Sequence, residues 1–232
     1  MRENNMVSVV VLAGGAGKRM NKPMPKQFLA LAGKPVIMHT LERLDRIDVI
    51  NEIVVVCHQD YKNFLTNCIT SYMLKKKYIL VDGGESRQDS VYRGLCATNN
   101  KVVIIHEAAR PFVKEEEFMD IIENPNEAVI YGYSIPFTVS MRDGEYIGGL
   151  YERDKLVNIQ LPQKFNRDVL MEAHKKAQIE GKIFTEDSSM VYEYTDIKIK
   201  IITGTPYNIK ITEPSDLILG EQIYNEYIVG RD

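Results

Sequence analysis

Short runs of apolar, mostly β-branched residues recur along the chain, separated by longer mixed segments. The first, VSVVVL at residues 7–12, is nearly continuous rather than alternating, which is typical of a parallel strand buried on both faces. Runs of the same kind predict further strands at residues 52–57, 78–81, 102–105, 128–131 and 197–202.

The segments between these runs carry apolar residues at helical spacing. They predict helices at residues 35–43, 89–97, 114–123, 167–180, 186–194 and 214–227. Alternating strands and helices form βαβ units, so we predict an α/β fold with a Rossmann-like, mostly parallel twisted sheet flanked by helices. Because no linker or repeat interrupts residues 1–232, a single domain is the simplest organisation.

Residues 136–159 depart from this alternation because they are polar, strand-like and sparse in apolar residues. Asp143-Gly144 is a turn signal within them. Because an isolated hairpin is only marginally stable, we predict a β-arm that projects from the domain and needs a partner surface to be ordered, which a homodimer would supply. A mobile surface hairpin is the alternative.

Composition and charge exclude several classes of function. The 29 Lys and Arg against 32 Asp and Glu give a net charge of −3, without the basic excess typical of nucleic-acid binding. No apolar run approaches the ~20 residues of a membrane span, and residues 7–12 are too short for a signal-peptide core. Cys57, Cys68 and Cys96 suit neither a disulfide framework nor a zinc site, so we expect reduced, mostly buried thiols in a cytoplasmic protein.

A glycine-rich loop with adjoining cations follows the first strand. Residues 12–20 read LAGGAGKRM, and ligands of open α/β sheets bind at the carboxyl ends of strands. The glycines allow several backbone N–H groups to converge on phosphate oxygens, and Lys18 and Arg19 add positive charge. The loop has neither the spacing of a Walker loop nor the third glycine of a dinucleotide fingerprint. A structural turn would explain Gly14 and Gly15 but not the Lys-Arg pair.

The segment at residues 23–29 reads PMPKQFL and presents a lysine directly after a proline. Its two prolines restrict the backbone ahead of Lys26, so the loop is predicted to be rigid. A rigid loop that presents one cation suggests a phosphate contact, and a solvated surface lysine is the alternative.

Together with other motifs, these loops resemble one family of enzymes. The first loop and PKQFL resemble the nucleotidyltransferases that activate sugar or polyol phosphates with a nucleoside triphosphate. DGGESRQDS at residues 82–90, HEAARPF at 106–112, TED at 185–187 and NIKIT at 208–212 resemble cytidylyltransferase motifs. From residue 9 to about residue 224, their order and spacing are similar to the family of 2-C-methyl-D-erythritol 4-phosphate and ribitol-5-phosphate cytidylyltransferases.

This resemblance implies a nucleotidyltransferase fold and its chemistry. A polyol phosphate oxygen would attack the α-phosphorus of CTP and release pyrophosphate, with Mg²⁺ or another divalent cation bridging triphosphate oxygens. Because the attacking phosphate is already ionised, catalysis would consist of positioning two polyanions and stabilising the in-line transition state with cations.

The resemblance also implies roles for individual residues. Arg19, Lys26 and Lys210 match the catalytic cations. Glu107, where the family usually has Asp, and Thr185 match residues that bind the acceptor, and Glu107 is also a candidate metal ligand. The residues that match the nucleotide-binding loops are Leu12, Ala13, Gly14, Gly15, Ala16, Gly17, Lys18, Gly83, Gly84, Glu85, Arg87, Ser90, Ala109 and Arg110.

Structural alternatives accompany several of these roles. Arg87 could cap the following helix or pair with Glu85, and Arg110 could form a buried salt bridge. Ser90 could be a polar residue in the first turn of its helix, and Thr185 could be an N-cap.

The identity of the acceptor depends on the arm. Methylerythritol-type members place an Arg and a Thr of the partner's arm against the acceptor phosphate, and the matching residues here are Asp143 and Leu150. An acid would repel that phosphate. LAGG and PKQFL also resemble the ribitol type, whereas residues 108–109 and 185–188 resemble the methylerythritol type. We therefore predict ribitol 5-phosphate or a related alditol phosphate used in a cell-surface polymer, with 2-C-methyl-D-erythritol 4-phosphate of isoprenoid biosynthesis as the alternative.

Two further functions are alternatives to this prediction. A hexose-1-phosphate nucleotidyltransferase would share the first loop and the lysine, but residues 82–90 and the short chain argue against it. A catalytically inactive nucleotide-binding subunit is suggested only by Glu107 and Asp143.

Overall fold

Seven strands form the central sheet of the computed structural model, which describes residues 6–15, 20 and 24–230. They are β1 (Val7–Ala13), β4 (Ile50–Cys57), β5 (Lys77–Asp82), β6 (Val102–Glu107), β7 (Ala128–Ser134), β10 (Val157–Asn166) and β11 (Ile199–Thr203). Two short strands, β2 (Ala30–Leu31) and β3 (Lys34–Pro35), pair with each other, and so do β8 (Ser140–Asp143) and β9 (Tyr146–Leu150).

The strand order of the central sheet is β11-β7-β10-β6-β1-β4-β5. All neighbouring strands are parallel except β10, which runs antiparallel to both β6 and β7. The predicted α/β class with a mostly parallel sheet is therefore confirmed. β1 lies between β4 and β6, so the strand order reverses at the first strand of the chain, where open α/β sheets commonly bind ligands.

Helices cover both faces of this sheet, as the near-continuous apolar runs predict. They are α1 (Val36–Arg46), α2 (Lys62–Ser71), α3 (Arg87–Cys96), α4 (Glu115–Glu123), α5 (Arg167–Glu180), α6 (Asp187–Tyr194) and α7 (Pro214–Ile223). Buried residues of α1, α2 and α4 join one core cluster with Val9 and Val11, whereas those of α3, α5 and α6 join another with Val10. Alternate residues of β1 therefore supply the two cores.

A third, smaller cluster attaches α7 to the chain near the first strand pair. It contains Leu31, Val36, Phe112, Ile211 and Ile223. Because Ile211 belongs to the NIKIT segment, this cluster also positions the residues that immediately precede it in the chain. One of them is the predicted catalytic lysine of that segment.

The predicted arm is wrong at its C-terminal end. β10 begins at Val157, inside the predicted segment, and continues to Asn166 as a central strand. Its polar residues Gln163 and Lys164 are buried in the sheet, so their polarity conceals the strand from a search for apolar runs. The apolar pattern also misses α2, in which Leu65 is the one fully buried residue.

The hairpin predicted from the Asp143-Gly144 turn is present as β8 and β9. Gly144 adopts a φ of +56°, the left-handed region that glycine tolerates best. Tyr146, Ile147 and Leu150 are exposed large side chains on this hairpin. Its role as an arm that a partner subunit orders stays a prediction.

In the described part of the chain, no helix is both long and apolar enough to cross a membrane. The predicted cytoplasmic location stays a prediction. Cys57 is buried, Cys68 is half-buried and Cys96 is exposed, so the expectation of mostly buried thiols is correct only for Cys57.

Gly94 allows α3 to approach the sheet closely. A Cβ at this position would lie 2.5 Å from Val10 Cγ1 and 2.9 Å from Val56 Cγ2, and both valines are fully buried. We expect Gly94→Ala to lower the free energy of unfolding by about 1–3 kcal/mol, because overpacking outweighs the better helix propensity of alanine. Urea denaturation measures this change. Cys96→Ala, an exposed change on the same helix, should stay within about 0.5 kcal/mol, and equal stability of the two variants would contradict the expectation.

Candidate active site

A cleft opens where the loops that follow β1, β5 and β6 meet. The sheet register aligns Leu12 with Glu107, Ala13 with Cys57, and Cys57 with Asp82, so the four strands β1, β4, β5 and β6 end at the same edge. The cleft has a volume of about 390 Å³. Its predicted lining residues are Leu12, Ala13, Gly14, Gly15, Lys26, Gly84, Glu85, Arg87, Ser90, Glu107, Ala109 and Lys210.

Gln27 braces the first loop and is a cleft residue to which sequence reasoning assigns no role. Its side-chain Nε2 donates to the carbonyl of Ala13 at 2.5 Å and to that of Gly15 at 3.2 Å. Because these bonds hold the strand end and the loop together, the glycines are presented to the cleft in a defined arrangement. The position of Gln27 inside the PKQFL motif is the signal that could have found it.

Lys26 begins a short 3₁₀ turn, Lys26–Phe28, and is itself only 8% exposed. Phe28 anchors this turn in the core, where its ring stacks on Tyr61 with centroids 4.8 Å apart. The burial of Lys26 in the cleft wall argues against a solvated surface lysine. The other predicted residues of this region, Ala16, Gly17, Lys18 and Arg19, lie outside the described residues, and their roles stay predictions.

The second loop folds back onto the first turn of α3. Ser90 Oγ accepts a hydrogen bond from the backbone N–H of Gly84 at 3.0 Å, and Asp89 Oδ2 accepts one from Glu85 at 3.1 Å. Ser86 caps the helix by accepting from the Asp89 N–H. The hydroxyl of Ser90 is thus a brace for the loop, in agreement with its location in the first helical turn. Gly83, which is not part of the cleft lining, lies under the loop, where a Cβ would be 3.8 Å from Gly14 Cα.

Glu107 is surrounded by cationic side chains at the centre of the cleft. Lys210 Nζ lies 2.9 Å from each of its carboxylate oxygens. Arg87 Nε lies 3.4 Å from Oε1 and Arg110 Nε lies 3.4 Å from Oε2. Burial by itself would raise the pKa of Glu107, but Lys210, Arg110 and Arg87 lower it to about 2. The carboxylate therefore stays ionised, and it holds the three cations at one point.

Backbone contacts place Lys210 at this point. Ile211 N–H donates to the carbonyl of Ala109 at 2.8 Å, which joins the NIKIT segment to the loop after β6. Arg110 Nη1 donates to the Asn208 carbonyl at 2.9 Å, and the Asn208 amide donates to the Leu161 carbonyl at 2.6 Å. Arg110 is half-buried, does not line the cleft and lies 3.4 Å from Glu107, the kind of salt bridge that its structural alternative describes, and its nucleotide-binding role stays a prediction.

Comparison with known proteins decides which family the arrangement belongs to. The family described as IspD, 2-C-methyl-D-erythritol 4-phosphate cytidylyltransferase, matches residues 7–226. The chain belongs to this family. A protein of that name from Geobacillus kaustophilus is 39% identical over 220 residues, which cover 92% of this chain and 95% of that one. The chloroplastic protein of that name from Oryza sativa is 35% identical over 225 residues, covering 95% of this chain and 75% of its own.

Solved structures of the same family share the fold. The 4-diphosphocytidyl-2C-methyl-D-erythritol synthase of Anaerococcus prevotii has a TM-score of 0.86 at 28% identity, covering 97% of this chain and 98% of its own. The methylerythritol phosphate cytidylyltransferase of Thermus thermophilus has a TM-score of 0.77 at 26% identity, covering 95% and 99%. The predicted enzyme class, a nucleotidyltransferase that transfers a cytidylyl group, is thereby confirmed.

The contacts of Arg87 and Thr185 are not those that their structural alternatives require. Arg87 Nη2 lies 2.8 Å from Asp187 Oδ2, and Ser86 rather than Arg87 caps α3. Burial would lower the pKa of Arg87, but Asp187 and its neighbours raise it above the usual value. Thr185 is exposed, lies outside the cleft lining and is not an N-cap, because Glu186 occupies that position of α6.

A divalent cation does not fit Glu107 as a ligand. In the described ranges, no group of three or more His, Cys, Asp or Glu side chains could hold a metal ion. The Glu107 carboxylate is already in contact with Lys210, Arg87 and Arg110, whose charges would repel a second cation. Its environment is that of a counter-ion, so the structure does not support the predicted metal-ligand role.

Two buried histidines make this fold sensitive to acid. Burial lowers the pKa of His106, which precedes Glu107, to about 3 and that of His39 to about 4. In the folded protein, both rings therefore remain neutral at a pH near the ordinary histidine pKa, at which the histidines of the unfolded chain take up protons. Their contribution to stability is therefore present above that value and is lost as the pH falls towards the folded-state pKa. We expect the free energy of unfolding to fall by about 2 kcal/mol per histidine between about pH 7.5 and pH 5.

Urea denaturation across this pH range tests the histidine prediction. A His39→Gln variant removes one titrating group and keeps a side chain that can donate to the Leu31 carbonyl, the present partner of His39 Nε2 at 2.8 Å. Its stability should depend less steeply on pH than that of the wild type, by close to one proton. Identical slopes would contradict the assignment of His39 as a buried neutral group.

Proposed function

We propose that the protein transfers the cytidylyl group of CTP to 2-C-methyl-D-erythritol 4-phosphate and releases pyrophosphate, as a step of isoprenoid biosynthesis. The observation that carries the proposal is a match to the family of that name over residues 7–226, in a chain whose cleft brings Lys26, Lys210 and two glycine loops together. The relatives described above are named for this acceptor, and none of them supports ribitol 5-phosphate or a cell-surface polymer.

The prediction of ribitol 5-phosphate rests partly on matching Asp143 to a family arginine and partly on the resemblance of LAGG and PKQFL to the ribitol type. Asp143 ends β8 at the hairpin turn, opposite Tyr146, and the pairing register shifts between Met141 and Arg142. Because Arg142 and Arg153 lie in the same segment, an acid at position 143 does not leave the arm without cations.

We further propose how the cleft residues divide the chemistry. The backbone of the Gly14 loop binds the triphosphate and that of the Gly84 loop binds the cytidine, while Lys26 and Lys210 approach the α-phosphate. An oxygen of the acceptor phosphate attacks the α-phosphorus, and the bond from that phosphorus to the pyrophosphate oxygen breaks. Mg²⁺ would neutralise triphosphate charge when bound, and we place it on the nucleotide because residues 6–15, 20 and 24–230 offer no set of three or more His, Cys, Asp or Glu ligands.

The β8–β9 hairpin is the element through which we propose a homodimer. Its exposed Tyr146, Ile147 and Leu150 are large side chains that a partner subunit would cover. Light scattering coupled to size-exclusion chromatography gives the mass in solution. Substituting all three by serine should convert a dimer of the 26.6 kDa chain into a monomer. A monomeric wild-type protein would disprove this part.

Pyrophosphate release across a panel of nucleotides and acceptors tests the proposed activity. With CTP and Mg²⁺, kcat/KM should be at least ~10²-fold higher for 2-C-methyl-D-erythritol 4-phosphate than for ribitol 5-phosphate or glycerol 3-phosphate. Preference for ribitol 5-phosphate would restore the original prediction and overturn this one. Turnover of UTP or GTP with a hexose 1-phosphate would indicate a different transferase, and CTP binding without turnover on any acceptor would indicate an inactive subunit.

A further inference from the structure

Asp187 is a buried carboxylate behind the cleft that the chemistry described above does not use. It is the first residue of α6 and only 1% exposed, and it does not line the cleft. Its Oδ2 lies 2.8 Å from Arg87 Nη2. Its Oδ1 lies 3.8 Å from His174 Nε2, and burial lowers the pKa of His174, which favours the neutral ring. Arg87 is thus the cation that balances Asp187.

This pairing restrains Arg87 in one orientation. A buried carboxylate without a partner is costly, so the contact between Arg87 and Asp187 is strongly favoured over its loss. The guanidinium is planar and rigid, so fixing Nη2 also fixes the direction of Nε. In that orientation Nε faces Glu107 Oε1 at 3.4 Å. Glu186 Oε2 lies 3.8 Å from the same Nη2, beyond hydrogen-bond distance.

Glu107, which faces Arg87, also contacts Lys210 at the cleft. Lys210 Nζ lies 2.9 Å from both oxygens of Glu107, and its side chain is 38% exposed. The contacts from Asp187 through Arg87 and Glu107 to Lys210 therefore join four segments that are distant in the sequence: the start of α6, the start of α3, the end of β6 and the NIKIT segment.

We propose that Asp187 is a positioning residue for cytidylyl transfer: by holding Arg87 it sets the orientation of Glu107 and, through it, the position of Lys210. This inference rests on the proposed function. Without the charge of Asp187, Arg87 has Glu107 as its nearest anion and draws that carboxylate away from Lys210. The lysine then loses its defined approach to the phosphates, whereas the Gly14 and Gly84 loops, which Asp187 does not contact, still bind nucleotide.

The test compares Asp187→Asn with a matched control. Asparagine has the same shape and keeps one acceptor oxygen but removes the charge. We expect kcat to fall by about ten-fold while KM for CTP changes by less than about three-fold. The control is Asp168→Asn, which changes an exposed aspartate in the first turn of α5 and should leave both constants unchanged. A kcat within about two-fold of the wild type for Asp187→Asn would overturn the proposal.

A double-mutant cycle separates positioning from a merely structural role. If Asp187 acts through Lys210, then Asp187→Asn should lower kcat by less than about two-fold in a Lys210→Ala background. A structural role predicts the same ten-fold loss in both backgrounds and would overturn the proposal. Should Asp187→Asn fail to fold, the Arg87→Lys variant replaces it, because lysine keeps a positive charge opposite Asp187 but lacks the rigid, planar guanidinium. Arg87→Lys should give the same loss of kcat and the same dependence on Lys210.

The two proposals fail in different ways. If the wild-type protein releases no pyrophosphate with any acceptor of the panel, the proposed function is wrong. If the wild type is active and the Asp187→Asn variant is equally active, the positioning role is wrong and the proposed function stands. The same conclusion follows if Asp187→Asn lowers kcat by the same factor in the wild-type and Lys210→Ala backgrounds.

Discussion

Replacing Lys210 by alanine should lower kcat by roughly 10²–10³, the loss typical of a cation that stabilises charge developing in the transition state. The lysine is held in the cleft by two features that do not depend on its own side chain. The backbone of the next residue, Ile211, donates to the Ala109 carbonyl, and the Ile211 side chain is buried in the cluster beneath α7. The alanine variant should therefore keep the fold, with thermal unfolding close to that of the wild type.

Steady-state pyrophosphate release measures the effect of Lys210→Ala, with Lys200→Ala as the control. Lys200 is an exposed residue of the edge strand β11, outside the cleft. Its loss should leave kcat unchanged, which excludes a general effect of reduced positive charge. Wild-type turnover in Lys210→Ala would show that the reaction does not use this cation and would remove the basis for the mechanism.

Lys26→Ala should cause a second loss of kcat of roughly 10²–10³. The reason is geometric, because Lys26 is buried in the cleft wall in a turn that other residues hold. Gln27 bonds to the first loop on one side, and Phe28 packs on Tyr61 on the other. Removing the lysine side chain therefore deletes a cation without displacing the turn.

A second buried lysine provides the matched comparison for Lys26→Ala. Lys164 is as inaccessible as Lys26 but lies in β10, where its Nζ donates to the Ile122 and Asn124 carbonyls. Lys164→Met should lower the unfolding midpoint in urea and leave kcat near the wild-type value. If the two variants lose turnover equally, burial of a lysine rather than its location in the cleft explains the effect, and the catalytic role of Lys26 is wrong.

How far the fold is predictable from sequence depends on how each element is buried. β1 and α5 lie within one residue of their predicted bounds, because a continuous apolar run defines β1 and clear end signals define α5. In α5, Asn166 caps the first turn through its side chain and Gly181 ends the helix at a φ of +67°. β10 is missed because its buried polar residues satisfy their bonds with distant partners: Gln163 Nε2 donates to Glu186 Oε2 at 2.9 Å.

The residues of the candidate site likewise divide into those that sequence motifs identify and those that only the structure identifies. The glycine loops and lysines can be found as local motifs, since their chemistry lies in residue type and spacing. Gln27 is missed because it acts on backbone carbonyls, and its position inside the PKQFL motif does not by itself reveal those contacts. The prediction of ribitol 5-phosphate as acceptor is not confirmed, because the relatives described above are named for 2-C-methyl-D-erythritol 4-phosphate. Thr185, placed in the site by resemblance, is exposed and outside the cleft lining.

The sequence by itself determined the α/β class and the strand ends that carry the site, because both depend on patterns within a few neighbouring residues. It indicated the enzyme class through the resemblance of several motifs, in order and spacing, to one family. Only the tertiary structure showed that Glu107 faces Lys210 and Arg87, which come from two distant segments, in addition to Arg110, which lies three residues away in the chain. It likewise decided that Asp187 lies behind Arg87, a contact across 100 positions of the chain. The physical reason is that the energy of a buried charge depends on what surrounds it in space, and linear order does not contain that arrangement.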